Sequence, residues 1–131
     1  MTQRFRTLSL ILFPLAAGIV ALLSLIPRLP KPPVPWDFWD KIEHLTAYLI
    51  LGFLGMLFFR ALLMGRIGRT AATVLITVGF GGLLELLQPL TGRTADWRDF
   101  LMNAAGVTLG VVLSRLVGFL LQRRRQGPPR P

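Results

Sequence analysis

Four long apolar stretches separated by short polar segments dominate the pattern of this chain. They occupy residues 8–26, 42–59, 71–88 and 100–121. Each approaches or reaches the roughly 20 residues that a helix needs to cross the hydrocarbon layer of a bilayer. The pattern therefore predicts that residues 1–131 form a single all-α domain, a polytopic membrane protein built as a bundle of four transmembrane helices.

The segments between the stretches are predicted to be irregular. Residues 27–40 form a connector whose dense prolines exclude a regular helix and favour an extended chain. Residues 122–131 form a basic polar tail, which we expect to be disordered. Between the third and fourth spans, Pro89 and Gly92 predict a turn.

The acidic residues converge on one face if all four stretches span. The chain then reverses direction at each crossing, so the start of the second span, the end of the third and the start of the fourth emerge together. His44 and Asn103 belong to the same end. The six carboxylates of the chain that this topology gathers there are Asp37, Asp40, Glu43, Glu85, Asp96 and Asp99.

The basic residues predict an orientation. With the N-terminus in the cytoplasm, cytoplasmic segments hold more Arg and Lys than the opposite side, as the positive-inside rule requires. Arg115 lies inside the fourth span, near its cytoplasmic end, and is predicted to be an interfacial anchor. Both termini are therefore expected in the cytoplasm of a bacterium, with the protein in the inner membrane and the polar cluster on the extracytoplasmic side. The cytoplasmic set comprises Arg4, Arg6, Arg60, Arg66, Arg69, Arg123, Arg124, Arg125 and Arg130, against Arg28, Lys31, Lys41, Arg93 and Arg98 outside.

The first stretch has an alternative interpretation as a signal peptide. Arg4 and Arg6 precede an apolar run, and Ala16-Ala17-Gly18 loosely resembles a cleavage site. The run continues to Ile26, which is longer than a usual signal core. Cleavage would leave three spans with the same orientation.

Composition supports the membrane interpretation and excludes several classes of function. The chain is 53% hydrophobic and only 16% charged, with a mean hydropathy of +0.58, which a water-facing fold of this size could not bury. The net charge of +9 is spread over connecting segments without an aromatic-laced stripe, so no nucleic-acid partner is expected. The absence of cysteine excludes disulfides, thiolate metal sites and cysteine nucleophiles.

Three spans carry stripes that are polar at one end and small at the other. Residues with three-and-four spacing share one face of a helix. The Gly106-x-x-x-Gly110 spacing allows close contact between helix backbones, so these stripes are predicted to face inward. The members are Lys41, His44, Tyr48, Gly52 and Gly55; then Gly81, Glu85 and Gln88; then Asp99, Asn103, Gly106, Gly110 and Ser114.

Structural roles compete with functional ones for several of these residues. Glu85 needs a protein partner inside the membrane, and an ion pair with Lys41, Arg93 or His44 that only fixes helix register is one interpretation. Asp96 is placed to N-cap the fourth helix, with Asp99 at its third position in a capping-box arrangement.

The polar residues, taken in order, resemble a known family. The pattern Asp40-Lys41-x-x-His44-x-x-x-Tyr48, then Glu85-x-x-Gln88, then Arg93-x-x-Asp96-x-x-Asp99-x-x-x-Asn103-x-x-Gly106-x-x-x-Gly110 is similar to that of the VanZ-like family. The resemblance covers the second to fourth spans. It implies a small multispan bacterial membrane protein from a family named for a member associated with low-level teicoplanin resistance. It implies no reaction.

Two hypotheses for the polar cluster follow. In the first, the cluster binds a cell-envelope lipid or a glycopeptide-related ligand, with Lys41 and Arg93 holding a phosphate or carboxylate. In the second, which ranks lower, the protein is an enzyme acting on a lipid-linked phosphate, with His44 as general base or acid and Glu85 or Asp99 orienting it. The predicted ligand-binding residues are Asp40, Lys41, His44, Tyr48, Glu85, Gln88, Arg93, Asp96, Asp99 and Asn103.

Other kinds of site are less favoured. Asp40 and His44 could share a cation with Glu85 or Asp99, but one His without Cys is no zinc signature and basic residues lie nearby, so neither a metal nor a cofactor is expected. Transport lacks a polar path to the cytoplasmic side. The expected partners are membrane lipids and a lipid-linked envelope precursor or glycopeptide, and the oligomeric state stays open.

Overall fold

Four α-helices make up nearly all of the structure. The computed structural model describes residues 2–27, 36–62 and 64–126, and within them every side chain except those of residues 36–38, 125 and 126. Each helix is long and apolar enough to cross a bilayer, and the described ranges contain no strand. The predicted all-α bundle of four spans is confirmed. The helices are α1 (Gln3–Leu25), α2 (Trp36–Ala61), α3 (Arg66–Leu87) and α4 (Trp97–Gln126), with a short 3₁₀ helix, Gln88–Thr91, between α3 and α4.

The helices extend beyond the apolar stretches. The α2 helix begins at Trp36, inside the connector predicted for residues 27–40, because residues 36–61 contain no proline and each of their backbone amides can donate. Likewise α4 continues to Gln126, so the first five residues of the predicted tail are helical. Hydrogen bonding along the backbone does not stop where hydropathy falls. The rest of the connector and tail, residues 28–35 and 127–131, lies outside the described residues.

Local chemistry fixes the ends of the helices. The Thr2 side chain accepts the amide hydrogen of Phe5 and caps α1. After the 3₁₀ helix, Gly92 adopts a left-handed φ of 77°, which glycine tolerates without strain. The turn predicted from Pro89 and Gly92 is therefore present, and it directs the chain back into α4.

Glycines bring α2 and α4 into backbone contact. A Cβ added to Gly52 would lie 2.5 Å from the carbonyl oxygen of Val107. A Cβ on Gly106 or Gly110 would collide with carbonyl groups of α2. Only hydrogen atoms can occupy these positions, as in other close pairs of membrane helices. The α2 helix contacts each of the other three helices and is the centre of the bundle.

The apolar core lies along this α2–α4 seam. Tyr48, Leu51 and Val107 are each at most 1% exposed. The α1 helix packs on the outside of the bundle, where the ring centroids of Phe13 and Phe58 are 5.1 Å apart. Most of the large apolar side chains of α1 are exposed. In a membrane protein such surfaces face lipid, which is as apolar as they are.

Candidate functional site

His44 lies near the start of α2 and is the centre of a buried polar cluster. Its ring is 8% exposed. The Nδ1 atom is 2.9 Å from Oδ1 of Asn103 on α4, and since an amide oxygen only accepts, Nδ1 carries a hydrogen and donates it. In the neutral tautomer this leaves the lone pair on Nε2. The hydrogen bond thereby fixes both the tautomer and the orientation of the imidazole.

Three carboxylates from three helices surround this ring. Asp40 Oδ1 and Asp99 Oδ2 lie 4.0 Å and 3.8 Å from Nε2, and Glu85 Oε1 lies 3.8 Å from Nδ1. The Asp99 and Glu85 side chains are each 8% exposed, and that of Asp40 is 14% exposed. We call these five residues, His44, Asn103, Asp40, Glu85 and Asp99, the His44 cluster. Their convergence at one end of the bundle is the arrangement that the four-span topology predicts.

Helical spacing explains why the cluster forms. Asp40 and His44 are separated by four residues, as are Asp99 and Asn103, so each pair shares one face of its helix. Glu85 enters from the last turn of α3. The predicted inward stripes are confirmed at these positions, because His44, Glu85 and Asn103 are all buried.

The loop before α4 is attached to the cluster through Glu85. Its Oε2 accepts the backbone hydrogen of Asp96 at 3.4 Å, while Asp96 Oδ1 accepts the amide hydrogen of Arg98 at 2.9 Å. Asp96 therefore caps the N-terminus of α4, as the sequence predicts. The predicted capping box is wrong: the Asp96 amide donates to Glu85, and the Asp99 carboxylate lies beside His44. The Asp99 side chain reaches across to α2, which leaves the Asp96 amide to Glu85.

Arg93 holds α1 against the loop. Its Nη1 donates to the backbone carbonyls of Ser24 at 2.7 Å and Leu23 at 3.2 Å, which lie in the last turn of α1, where carbonyl groups lack helical partners. The sequence predicts that Arg93 holds a ligand. In the structure its Nη1 instead contacts carbonyl groups of α1. Lys41, the other predicted cation, is partly buried on α2.

Tyr48 and Gln88, both predicted to bind ligand, are almost completely buried. Tyr48 is 1% exposed, and its ring packs so closely on α3 that a Cβ added to Gly81 would lie 2.9 Å from it. Gln88 is also 1% exposed, and its Nε2, like Nδ2 of Asn103, has no hydrogen-bond partner in the described part of the chain. Tyr48 lies one turn beyond His44 toward the middle of α2, whereas Gln88 follows Glu85 at the end of α3.

The chemistry of the cluster is that of a hydrogen-bond acceptor. The four atoms measured around the two ring nitrogens are all oxygens. In addition, one nitrogen of His44 and one oxygen each of Asp40 and Asp99 all lie within 4.8 Å of one another. A divalent transition-metal ion could bind to such a set of atoms. The arrangement therefore suits a ligand that brings hydrogen-bond donors or positive charge.

Comparison with known families agrees with this architecture. A family model described as VanZ/LLP1 matches residues 2–118. The chain belongs to the VanZ/LLP1 family. The match includes α1, which the polar motifs do not cover, and it confirms the resemblance drawn from the other three spans. VanZ membership and four apolar helices together make this a multispan membrane protein. No curated protein and no solved structure matches the chain.

Arginines at the opposite end of this VanZ-family bundle form a second polar region. The sequence placed them on one side of the membrane but did not predict that they line one pocket. Arg115, predicted to be an interfacial anchor, donates from Nη2 to Oγ1 of Thr70 at 2.9 Å. It lies in the same pocket as Arg60, Arg66 and Arg69. In the sequence, Arg60, Arg66 and Arg69 lie close together around the short connection between α2 and α3. Such a group is also expected of any basic cytoplasmic loop, so it does not by itself indicate a pocket.

Proposed function

We propose that this VanZ-family protein binds the polar headgroup of a cell-envelope lipid or of a glycopeptide-related ligand at the His44 cluster. The observation that carries the proposal is a buried imidazole with three carboxylates within 4.0 Å of its nitrogens. Charged groups at such depth are costly in a membrane protein unless they are paired or used. Through this ligand the protein would modulate sensitivity to teicoplanin-type antibiotics.

The acceptor character of the cluster defines the ligand's chemistry. Carboxylate oxygens accept hydrogen bonds and attract positive charge, so the ligand should supply hydroxyl or amino groups. Sugar hydroxyls and primary amines of envelope lipids and glycopeptides have this character. The remaining exposure of Asp40, at 14% of its side chain, gives such a group a route of approach from the end of the bundle.

The proposed site faces the extracytoplasmic side of the bacterial inner membrane, with both termini in the cytoplasm. The arginine-rich end is then inside, as the positive-inside rule favours. Trp39 and Trp97 flank the cluster in sequence and are 59% and 68% exposed. Amphipathic rings of this kind settle at a membrane interface, which supports a headgroup-level position for the cluster.

Native mass spectrometry of the full chain, purified in mild detergent, tests the proposal. Wild-type protein should carry a bound envelope lipid that is lost in Asp99→Asn and His44→Gln. Glu43→Gln is the matched control, because it removes an exposed carboxylate next to His44 in sequence, and it should retain the lipid. Equal lipid retention by all four proteins would refute headgroup binding here. Loss of the ligand on chelation alone would instead assign the cluster to a metal ion.

A catalytic function is the second candidate, favoured by the hydrogen bond between Nδ1 and Asn103. That bond leaves Nε2 as a potential general base, with the ring held in place. Under this proposal the protein would hydrolyse an isoprenoid phosphate when reconstituted. Phosphate release should disappear in His44→Gln and persist in Glu43→Gln. If the lipid binds and no phosphate is released, the binding function stands and the catalytic one fails.

A further inference from the structure

A basic pocket lies at the end of the bundle opposite the His44 cluster. It has a volume of about 750 Å³ and is lined by residues of all four helices. Its size falls within the range of about 300–1,000 Å³ typical of ligand sites. Four arginines contribute to its lining, Arg60 from α2, Arg66 and Arg69 from α3, and Arg115 from α4.

The positive charge of this pocket has no acidic counterpart in its walls. None of the described residues that line it is Asp or Glu, and the six acidic residues of the chain lie toward the other ends of the spans. Guanidinium groups stay protonated in proteins. Four like charges gathered around one cavity repel each other, and an anion between them would relieve that repulsion.

Two of the arginines are arranged as donors toward such an anion. Arg69 Nε is buried and has no hydrogen-bond partner in the described part of the chain. Arg115 is fixed against α3 by its hydrogen bond to Thr70, the residue that follows Arg69. A buried donor without an acceptor is destabilising, so a ligand oxygen would improve this site.

The start of α3 adds to the preference for an anion. Arg66 and Arg69 lie at its first turns, Gly65 supplies no side-chain cap and the first turn holds no acidic residue. The free amide groups at a helix N-terminus carry partial positive charge and favour negative ligands. Charge complementarity therefore points the same way for the backbone and for the side chains.

Most of the remaining wall of the pocket is apolar. Phe53, Met56 and Val117 line it together with the arginines. We propose that the pocket binds an anionic phospholipid, with its phosphate paired to the arginines and one acyl chain along this apolar wall. Arginine forms bidentate hydrogen bonds with phosphate, and basic pockets between membrane helices suit anionic headgroups. The proposal is independent of headgroup binding at the His44 cluster.

Competition between lipids in native mass spectrometry tests the proposal. The full chain in mild detergent is offered phosphatidylglycerol and phosphatidylcholine, and wild type should retain phosphatidylglycerol about tenfold or more over phosphatidylcholine. The Arg69→Gln, Arg115→Gln double variant should lose this preference. The Arg123→Gln, Arg124→Gln double variant is the matched control. It removes two charges at the same end of the molecule, outside the pocket, and should behave as wild type.

A second pair of variants guards against misfolding. Arg60 and Arg66 have exposed side chains, so Arg60→Gln with Arg66→Gln should leave the fold intact and still reduce the preference for phosphatidylglycerol. Equal binding of the two lipids by wild type, or equal losses in the pocket and control variants, would overturn the proposal. Displacement of the lipid by an equal concentration of inorganic phosphate would also overturn it, because the arginines would then bind a free anion.

Discussion

His44 on α2 and Asn103 on α4 are 59 residues apart in sequence and are joined by a 2.9 Å hydrogen bond inside the bundle. Deeper along the same helix pair, Gly52 meets the backbone of Val107 directly. The α2–α4 contact thus has a polar end that orients an imidazole and a tightly packed apolar part that sets the distance between the helices. The geometry of the polar end therefore depends on packing in the apolar part.

Removing the acceptor of His44 should destabilise the protein. Asn103→Leu leaves the Nδ1 hydrogen of a buried ring without a partner, and we expect a loss of about 1–3 kcal/mol in the free energy of unfolding. Denaturation in detergent micelles measures this loss. In a double-mutant cycle with His44→Phe, the coupling energy should be about 0.5–2 kcal/mol.

The control for that cycle pairs Asn103→Leu with Thr46→Leu, an exposed position on the same helix as His44. These two changes should be additive. A coupling energy near zero in the His44 cycle would show that the hydrogen bond contributes nothing to the stability of the bundle.

Glycine substitutions on α4 should separate packing from helix propensity. A side chain at Gly110 would collide with the backbone of α2, whereas nothing lies within 4 Å of a Cβ added to Gly118. Gly110→Ala should therefore cost about 1–3 kcal/mol of stability, and Gly118→Ala should gain up to about 1 kcal/mol from lost backbone entropy. Thermal unfolding monitored by circular dichroism distinguishes them. Equal effects would mean that α4 does not touch α2 at Gly110.

The sequence predicted the gathering of the polar residues better than their individual partners. Spacing alone placed His44, Glu85 and Asn103 on inward faces at one end, because helical periodicity and chain reversal determine both properties. It could not predict that Asp99 would lie beside His44 instead of completing a capping box, since both arrangements use the same residue at the same position. The choice depends on the distance between α2 and α4.

The sequence also could not predict which backbone carbonyls the arginine side chains contact. Arg93 reaches the carbonyls of Leu23 and Ser24, and Arg6 donates from Nε to the carbonyl of Ala61 at 3.1 Å. Every residue offers a carbonyl group, so no residue pattern marks these acceptors. Only the packing of helix ends shows which carbonyl an arginine can reach.

Loss of the Arg93 side chain should loosen α1. Arg93→Ala removes two hydrogen bonds to the last turn of α1, and we expect faster proteolysis near that turn in detergent together with a loss of about 1–3 kcal/mol. Arg98→Ala is the control, because Arg98 is exposed and lies in the first turn of α4. If both variants are cleaved at the wild-type rate, Arg93 is not what holds α1 in place.

Two substitutions of Glu85 should separate the effect of its hydrogen bond from the effect of its charge. Glu85→Gln keeps an oxygen that can accept the Asp96 amide hydrogen, which Glu85 Oε2 accepts at 3.4 Å, whereas Glu85→Ala does not. We expect Glu85→Ala to be less stable than Glu85→Gln by about 1–2 kcal/mol. Chemical unfolding of the two purified variants measures the difference. Identical stabilities would show that this hydrogen bond does not hold the loop before α4.

The absence of cysteine makes the proposed orientation directly measurable. A cysteine introduced by Thr94→Cys lies in an exposed loop near the His44 cluster, and one introduced by Arg124→Cys lies at the exposed end of α4. Four spans place these two positions on opposite sides of the membrane. In intact bacteria, a membrane-impermeant maleimide should label the first variant at once and the second only after permeabilisation, since the proposed orientation puts the arginine-rich end in the cytoplasm. The opposite pattern would invert the orientation, and labelling of both in intact cells would mean that α4 does not cross the membrane.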